Sequence, residues 1–244
     1  MNGIQQYLNA IEAQQKRVIQ GQQALLQQVA TAMAQTIRGD GRIFTFGTGH
    51  SHMLAEEGFY RAGGLAPVTP LLLSSLMLHE SALLSGDIER TPGLAEPLLK
   101  RYRPQPGELI FIFSNSGVNQ MPVEMAQVAK KEELTVVSVS SLAYARVAPL
   151  SAVGQRLDQL ANYTIDNGGP PGDSLVSIEG LPWPVGPGST VVGGLIWNAL
   201  VVETVRQLHQ SGDEVPVIAS ANMSGALDHN QKLLRRWRGR NPHL

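Results

Sequence analysis

Residues 42–57 read RIFTFGTGHSHMLAEE. Ile43, Phe44 and Phe46 form a short β-branched and aromatic run of the kind that makes a buried strand. Gly47-Thr48-Gly49-His50-Ser51 follows as a tight loop bearing hydroxyls, and helix formers run from Met53 to Arg61. A strand that ends in such a loop and opens a helix is a place to hold an anion. The first N–H groups of the helix lack intrahelical partners, and its dipole favours negative charge there. Thr48, His50 and Ser51 add side-chain donors.

The device recurs. Residues 108–113, ELIFIF, make a second strand run, which feeds Ser114-Asn115-Ser116-Gly117-Val118-Asn119-Gln120 and a helical segment to Lys131. Ser114, Asn115, Ser116 and Asn119 are hydroxyl or amide donors, and amide nitrogens can donate to phosphate. Both units are poor in positive charge. They predict a phosphorylated polar ligand gripped by neutral hydrogen bonds.

Outward from these units, strands are expected at 67–73, 134–139 and 163–165. Helices are expected at 75–84, carrying His79-Glu80, at 91–103, at 123–131 and at 190–210, with Ser189 as the N-cap of the last. That helix is apolar on most sides and is expected to be central and buried. Residues 3–38 read as one long helix, or two with a break near Gly21, with Gln, Lys and Arg on the outer face. The Gly- and Pro-dense stretch 167–188 reads as a lid or subunit contact holding a small strand at 175–178. Alternating strands and helices indicate an α/β fold: a three-layer α/β/α sandwich on a mainly five-stranded parallel sheet, with a long N-terminal helix. Residues 1–41 form a helical arm of the same domain, and 42–244 its body. In such sheets ligands bind beyond the strand C-termini, where the connection order reverses.

Composition narrows the function. With 43% hydrophobic residues the 244-residue chain can fill a core, and a net charge of −1 argues against nucleic acid or an acidic membrane as partner. No cysteine is present, which excludes disulfides and thiol catalysis. No run is apolar enough to span a bilayer, and the first residues lack a signal-peptide core, so a cytoplasmic protein is expected. His52 stands where a dinucleotide fingerprint needs its third glycine. His50 and His52 with Glu57 lack a fourth ligand, so no metal and no other cofactor is expected.

GTGHS after the first strand, paired with SNSGVNQ after a later one, resembles the SIS (sugar isomerase) domain. GHSHMLAEEGFYRAGG, IDNGGPPGDS and SANMSGALDHN are similar to its phosphoheptose-isomerase-like subfamily, over about 42–230. The resemblance implies binding of a phosphorylated sugar and aldose–ketose isomerisation through an enediol. Two alternatives stay open: a non-catalytic sugar-phosphate-binding regulator, and an amino-sugar-phosphate lyase or etherase. Proton transfer needs a carboxylate and a histidine within reach of the reacting carbons, and Glu57, His79, Glu80 and His229 are the candidates. The resemblance places a C-terminal histidine near a neighbouring subunit's site, hence His229, and implies a homodimer or homotetramer with sites near the interface. The family's catalytic glutamate lies ten residues after the first-loop serine, where this sequence has Arg61. Glu57 is expected to substitute from one turn earlier, with Arg61 on a second anionic group and Asp173 on sugar hydroxyls.

Overall fold

The computed structural model describes residues 2–244. Five strands, β1 (Ile43–Gly47), β2 (Val68–Pro70), β3 (Leu109–Phe113), β4 (Thr135–Ser140) and β5 (Tyr163–Asp166), form one parallel sheet in the order β2-β1-β3-β4-β5. Side chains alternate across it as the two-residue period of a strand requires. Ile43, Leu109, Phe111 and Phe113 enter one core, with α2 (Gln23–Arg38) and α9 (Ser189–Gln210). Phe44, Phe46, Ile110 and Ile112 enter the other, with α5 (Ala95–Arg101) and α6 (Gln120–Lys131). Both faces are covered, so the strands are apolar on both sides.

The N-terminal segment is two helices, α1 (Gly3–Gly21) and α2, and the break at Gln22 has a use. The Gln22 amide accepts from the Asp166 N–H at 2.9 Å and donates to the Asp166 carbonyl at 2.7 Å, so a side chain completes the free edge of β5. Gln14 is fully buried and donates to the Asn167 carbonyl at 2.8 Å. Glutamines expected to face solvent thus seal the end of the sheet.

Four other expectations are corrected. Residues 74–76 form a single 3₁₀ turn and α4 (Ala82–Arg90) starts only after Ser81, whose hydroxyl accepts from the Leu84 N–H; His79 and Glu80 therefore sit in a turn. The helix after β1 is short, a 3₁₀ turn (Gly49–Ser51) and then α3 (His52–Glu57), so Arg61 lies beyond its end. Ser189 is the first residue of α9, and Asp173 supplies the cap. Its Oδ1 accepts from the Ser189 N–H at 2.9 Å and its Oδ2 from the Ser189 hydroxyl at 2.6 Å. Finally, α9 is not central: Val192, Ile196, Trp197 and Leu200 are buried, while Val191, Asn198, Ala199 and Val202 face outward.

The stretch after β5 holds a two-stranded antiparallel hairpin, β6 (Ser174–Val176) and β7 (Val185–Pro187), against which α1 packs. Two short helices, α7 (Leu142–Val147) and α8 (Leu157–Leu160), follow β4, and α10 (Ala226–Arg238) closes the chain. Among the described residues, no helix is long and apolar enough to cross a membrane.

Candidate functional site

The connection order reverses between β1 and β3. Their register pairs Gly47 with Phe113, so the loops starting at Thr48 and Ser114 leave the sheet side by side. The first loop folds back so tightly that a Cβ on Gly47 would meet the Ser51 carbonyl oxygen at 2.3 Å. Only glycine fits there. The Thr48 hydroxyl, buried, donates to the Glu89 carboxylate, which α4 brings over the loop. Ser51 is half-buried and His50 exposed.

The second loop is held from beneath. Ser114 Oγ accepts from the Gly117 N–H at 3.3 Å, and Gly117 has φ of +63°, a conformation glycine takes without strain. Asn167, at the end of β5, donates to the Asn115 side-chain oxygen at 2.7 Å and orients that amide. Neither the Ser116 hydroxyl nor the Asn119 amide has a partner among the described residues, and Asn119 does not cap α6 with its side chain. The free N–H groups at the start of the 12-residue α6 add to these donors. Of the two helices, α6 carries the stronger N-terminal field, because α3 has six residues.

One element touches both loops. Glu89 of α4 meets Thr48 of the first, while its neighbour Arg90 lines a cavity of about 340 Å³ with Asn119 and Gln120 of the second. A carboxylate thus stands at the first loop, and a guanidinium, which donates to the Gly86 carbonyl at 2.6 Å, at the far end of the second. Both lie in ALLSGDIER, which reads as an ordinary amphipathic helix with a charged end. Nothing in the spacing singles them out.

Beneath the first loop His52 is buried. Its Nδ1 lies 3.2 Å from the Gly47 carbonyl, which can only accept, so the proton belongs on Nδ1. Its Nε2 then carries a lone pair with no hydrogen-bond partner, 3.6 Å from Glu56. Burial pushes the His52 pKa below the ordinary 6.5; the Gly47 carbonyl and Glu56 oppose this, and a nearby His79 adds to it. His79 is thereby located close to the first loop, on the exposed turn.

The remaining predicted residues are dispersed. Glu57 is bound to Arg61 at 2.6 Å and to Asn198 of α9 at 3.2 Å, toward the open side of α9. Glu80 is exposed. Asp173 is occupied with capping α9. His229 Nε2 meets the Val217 carbonyl at 2.8 Å, in the segment bridged to Leu65 ahead of β2; within one protomer it lies at the strand-start end, away from the crevice. The trio His50, His52 and Glu57 does not converge. No group of three or more His, Asp or Glu among the described residues is arranged to hold a metal ion.

A family model described as the SIS domain matches residues 6–141. A UPF0309 protein of Brucella canis is 41% identical over 221 residues, covering 91% of this chain and 90% of that protein. A phosphoheptose isomerase from Francisella tularensis shares the fold at a TM-score of 0.54 and 13% identity, covering 84% of this chain and 98% of that one. The Vibrio vulnificus NanR protein, complexed with ManNAc-6P, shares it at 0.51 and 16% identity, covering 86% of this chain and 62% of that one.

Proposed function

The chain belongs to the SIS-domain family, and from that premise we propose that its crevice binds a phosphorylated sugar and catalyses aldose–ketose isomerisation. The observation that carries the reading is α4 lying across both loops, with Glu89 at Thr48 and Arg90 beside Asn119. The phosphate takes the free donors: Ser51, Ser116, Asn119 and the first N–H groups of α6. Thr48, His50, Ser114 and Asn115 shape the pocket around them. Arg90 adds one positive charge at its edge.

Isomerisation needs a base that removes the proton alpha to the carbonyl and returns it to the neighbouring carbon, by way of an enediol. We assign that base to Glu89, whose carboxylate the Thr48 hydroxyl orients, with His79 as the partner that moves the hydroxyl protons. Glu57, Glu80 and His229 are the competing assignments; His229 requires a second copy of the chain to bring it to a crevice. In the same reading the chain is a homodimer or homotetramer, joined through the outward face of α9 beside Glu57 and Arg61.

The test is proton NMR in D₂O with a panel of six- and seven-carbon sugar phosphates. Expected is deuterium wash-in at C1 or C2, lost in Glu89→Gln and kept in Glu57→Gln and His229→Asn. Wash-in that survives Glu89→Gln removes Glu89 from the mechanism. Binding without exchange, seen as a ligand-dependent rise in Tm, replaces catalysis with sugar-phosphate sensing. Ser116→Ala separately tests the second loop: unchanged phosphosugar affinity would remove it from the site.

A further inference from the structure

The strand-start end of the sheet, opposite the crevice, holds a cavity of about 510 Å³. Five arginines line it, Arg42, Arg101, Arg103, Arg238 and Arg240, and no carboxylate does. Two of the five are neutralised from below: Glu108 pairs with Arg42 at 2.7 Å and with Arg240 at 3.1 Å, and Asp40 also reaches Arg240 at 3.0 Å. Arg101, Arg103 and Arg238 pair with no carboxylate among the described residues. Arg101 lies over the Tyr102 ring instead, its guanidinium 5.8 Å from the centroid. The uncompensated charge is felt locally: His243, 2.9 Å from the Tyr102 hydroxyl, is held below the ordinary histidine pKa by burial and by Arg101.

Three unpaired guanidinium groups around one concavity repel one another. A concave wall of one sign focuses its field on ions of the other. Guanidinium is also the group that meets phosphate and carboxylate oxygens with two parallel N–H donors. Tyr102, the ring in the wall, is 2% exposed and its hydroxyl is already bonded, so no aromatic face is offered to a base. Recognition here is of charge and geometry. We propose that this cavity binds a compact polyanion of the diphosphate class, with two or more phosphoryl or carboxylate groups, at a site separate from the crevice. The five-residue strands β1 and β3 keep the two apart by about 17 Å at roughly 3.3 Å per residue.

The test is calorimetric titration of the full chain with inorganic pyrophosphate. Wild-type protein is expected to bind it saturably. R103A/R238A is expected to weaken binding by about tenfold or more, since a charge-assisted hydrogen bond is worth about 10–100-fold. R103K/R238K keeps the charge without the planar fork and is expected to recover part of the affinity, which separates lost recognition from lost folding. Ser116→Ala, altered in the crevice, is expected to bind as wild type does. Loss in Ser116→Ala with retention in R103A/R238A would put the anion in the crevice and overturn the proposal. So would equal affinity in all four proteins, or no saturable binding to any of them.

Discussion

Replacing Glu108 by glutamine keeps the side chain's shape and removes its charge. In the native chain Oε1 accepts from the Arg42 backbone N–H at 2.9 Å, Arg42 Nε at 2.7 Å and Arg240 at 3.1 Å. Oε2 accepts from Arg42 at 2.9 Å and the Gln105 N–H at 2.8 Å. Both side chains of the Arg42–Glu108 pair are only 2% exposed. In the variant the Arg42 guanidinium keeps the carbonyls of Tyr102, Arg103 and Arg240, but the new amide NH₂ cannot accept where a carboxylate oxygen did, and the charge is left unpaired. Removing one partner of such a buried pair costs about 3–5 kcal/mol, a large share of the roughly 5–15 kcal/mol that holds a domain folded. For a chain of this size Tm should fall by roughly 6–20 °C. Urea unfolding and calorimetry read the loss, which should persist at high salt because a pair only 2% exposed is screened weakly. Adding Arg42→Met removes the stranded charge, so the double variant should be more stable than Glu108→Gln alone. A loss below about 1 kcal/mol, the value of a surface pair, would refute the reasoning, as would a double variant no better than the single.

Gly47→Ala forces the first loop off the Ser51 backbone; stability should fall by about 1–3 kcal/mol, and phosphosugar affinity should fall with it, while unchanged affinity by calorimetry would detach the loop from the ligand. Below the ordinary pKa of 6.5 the unfolded chain protonates a histidine that buried His52 resists. Its contribution is therefore complete above about pH 6.5 and is lost as pH falls toward the lower native pKa. The slope of stability against pH over about 5.5–7 should be shallower in His52→Gln; His243, shifted the same way, keeps some slope in both proteins, and identical slopes would mean that His52 is not held neutral. Val202→Glu, on the outward face of α9, should convert an assembly to monomer in light scattering without lowering monomer stability, and an unaltered mass would move the subunit contact elsewhere.

The sheet was legible because Leu109–Phe113 is a continuous apolar run, and Ile43–Phe46 and Val136–Val139 are broken only by Thr45 and Ser138, a density that strands buried on both faces require. The two loops were legible because glycine and hydroxyls follow β1 and β3 directly. The cores covering the sheet were less so. Residues 75–84 carry enough leucine to mimic a helix, yet Ser81 starts one anew at Ala82, a cap signal present in the sequence and outweighed by periodicity. Gln14 and Gln22 look like solvent residues and are structural, since their partners are backbone groups of β5 that no local pattern reveals. Glu89 and Arg90 escaped for a related reason. Their meaning comes from a crossover that brings Glu89 to Thr48, 41 residues away, and Arg90 near Asn119, 29 residues away, and a charged helix end looks the same wherever it docks.

The Arg42–Glu108 pair also sets an order of events during synthesis. Its partners are 66 residues apart, and Arg240 joins Glu108 from 132 residues further on. At about 5–20 residues per second, Arg42 is added to the chain roughly 3–13 s before its acid, and the acid waits roughly 7–26 s for Arg240 to be added. In the first interval β1 has no neighbour on its β3 side, and Phe44 and Phe46 have nothing from that strand to pack on. In the second, the central strands can pair while the floor under them still lacks one of its arginines. A nascent chain stalled after α6 and before Arg238 should therefore hold the two crevice loops before it holds the arginine-lined cavity.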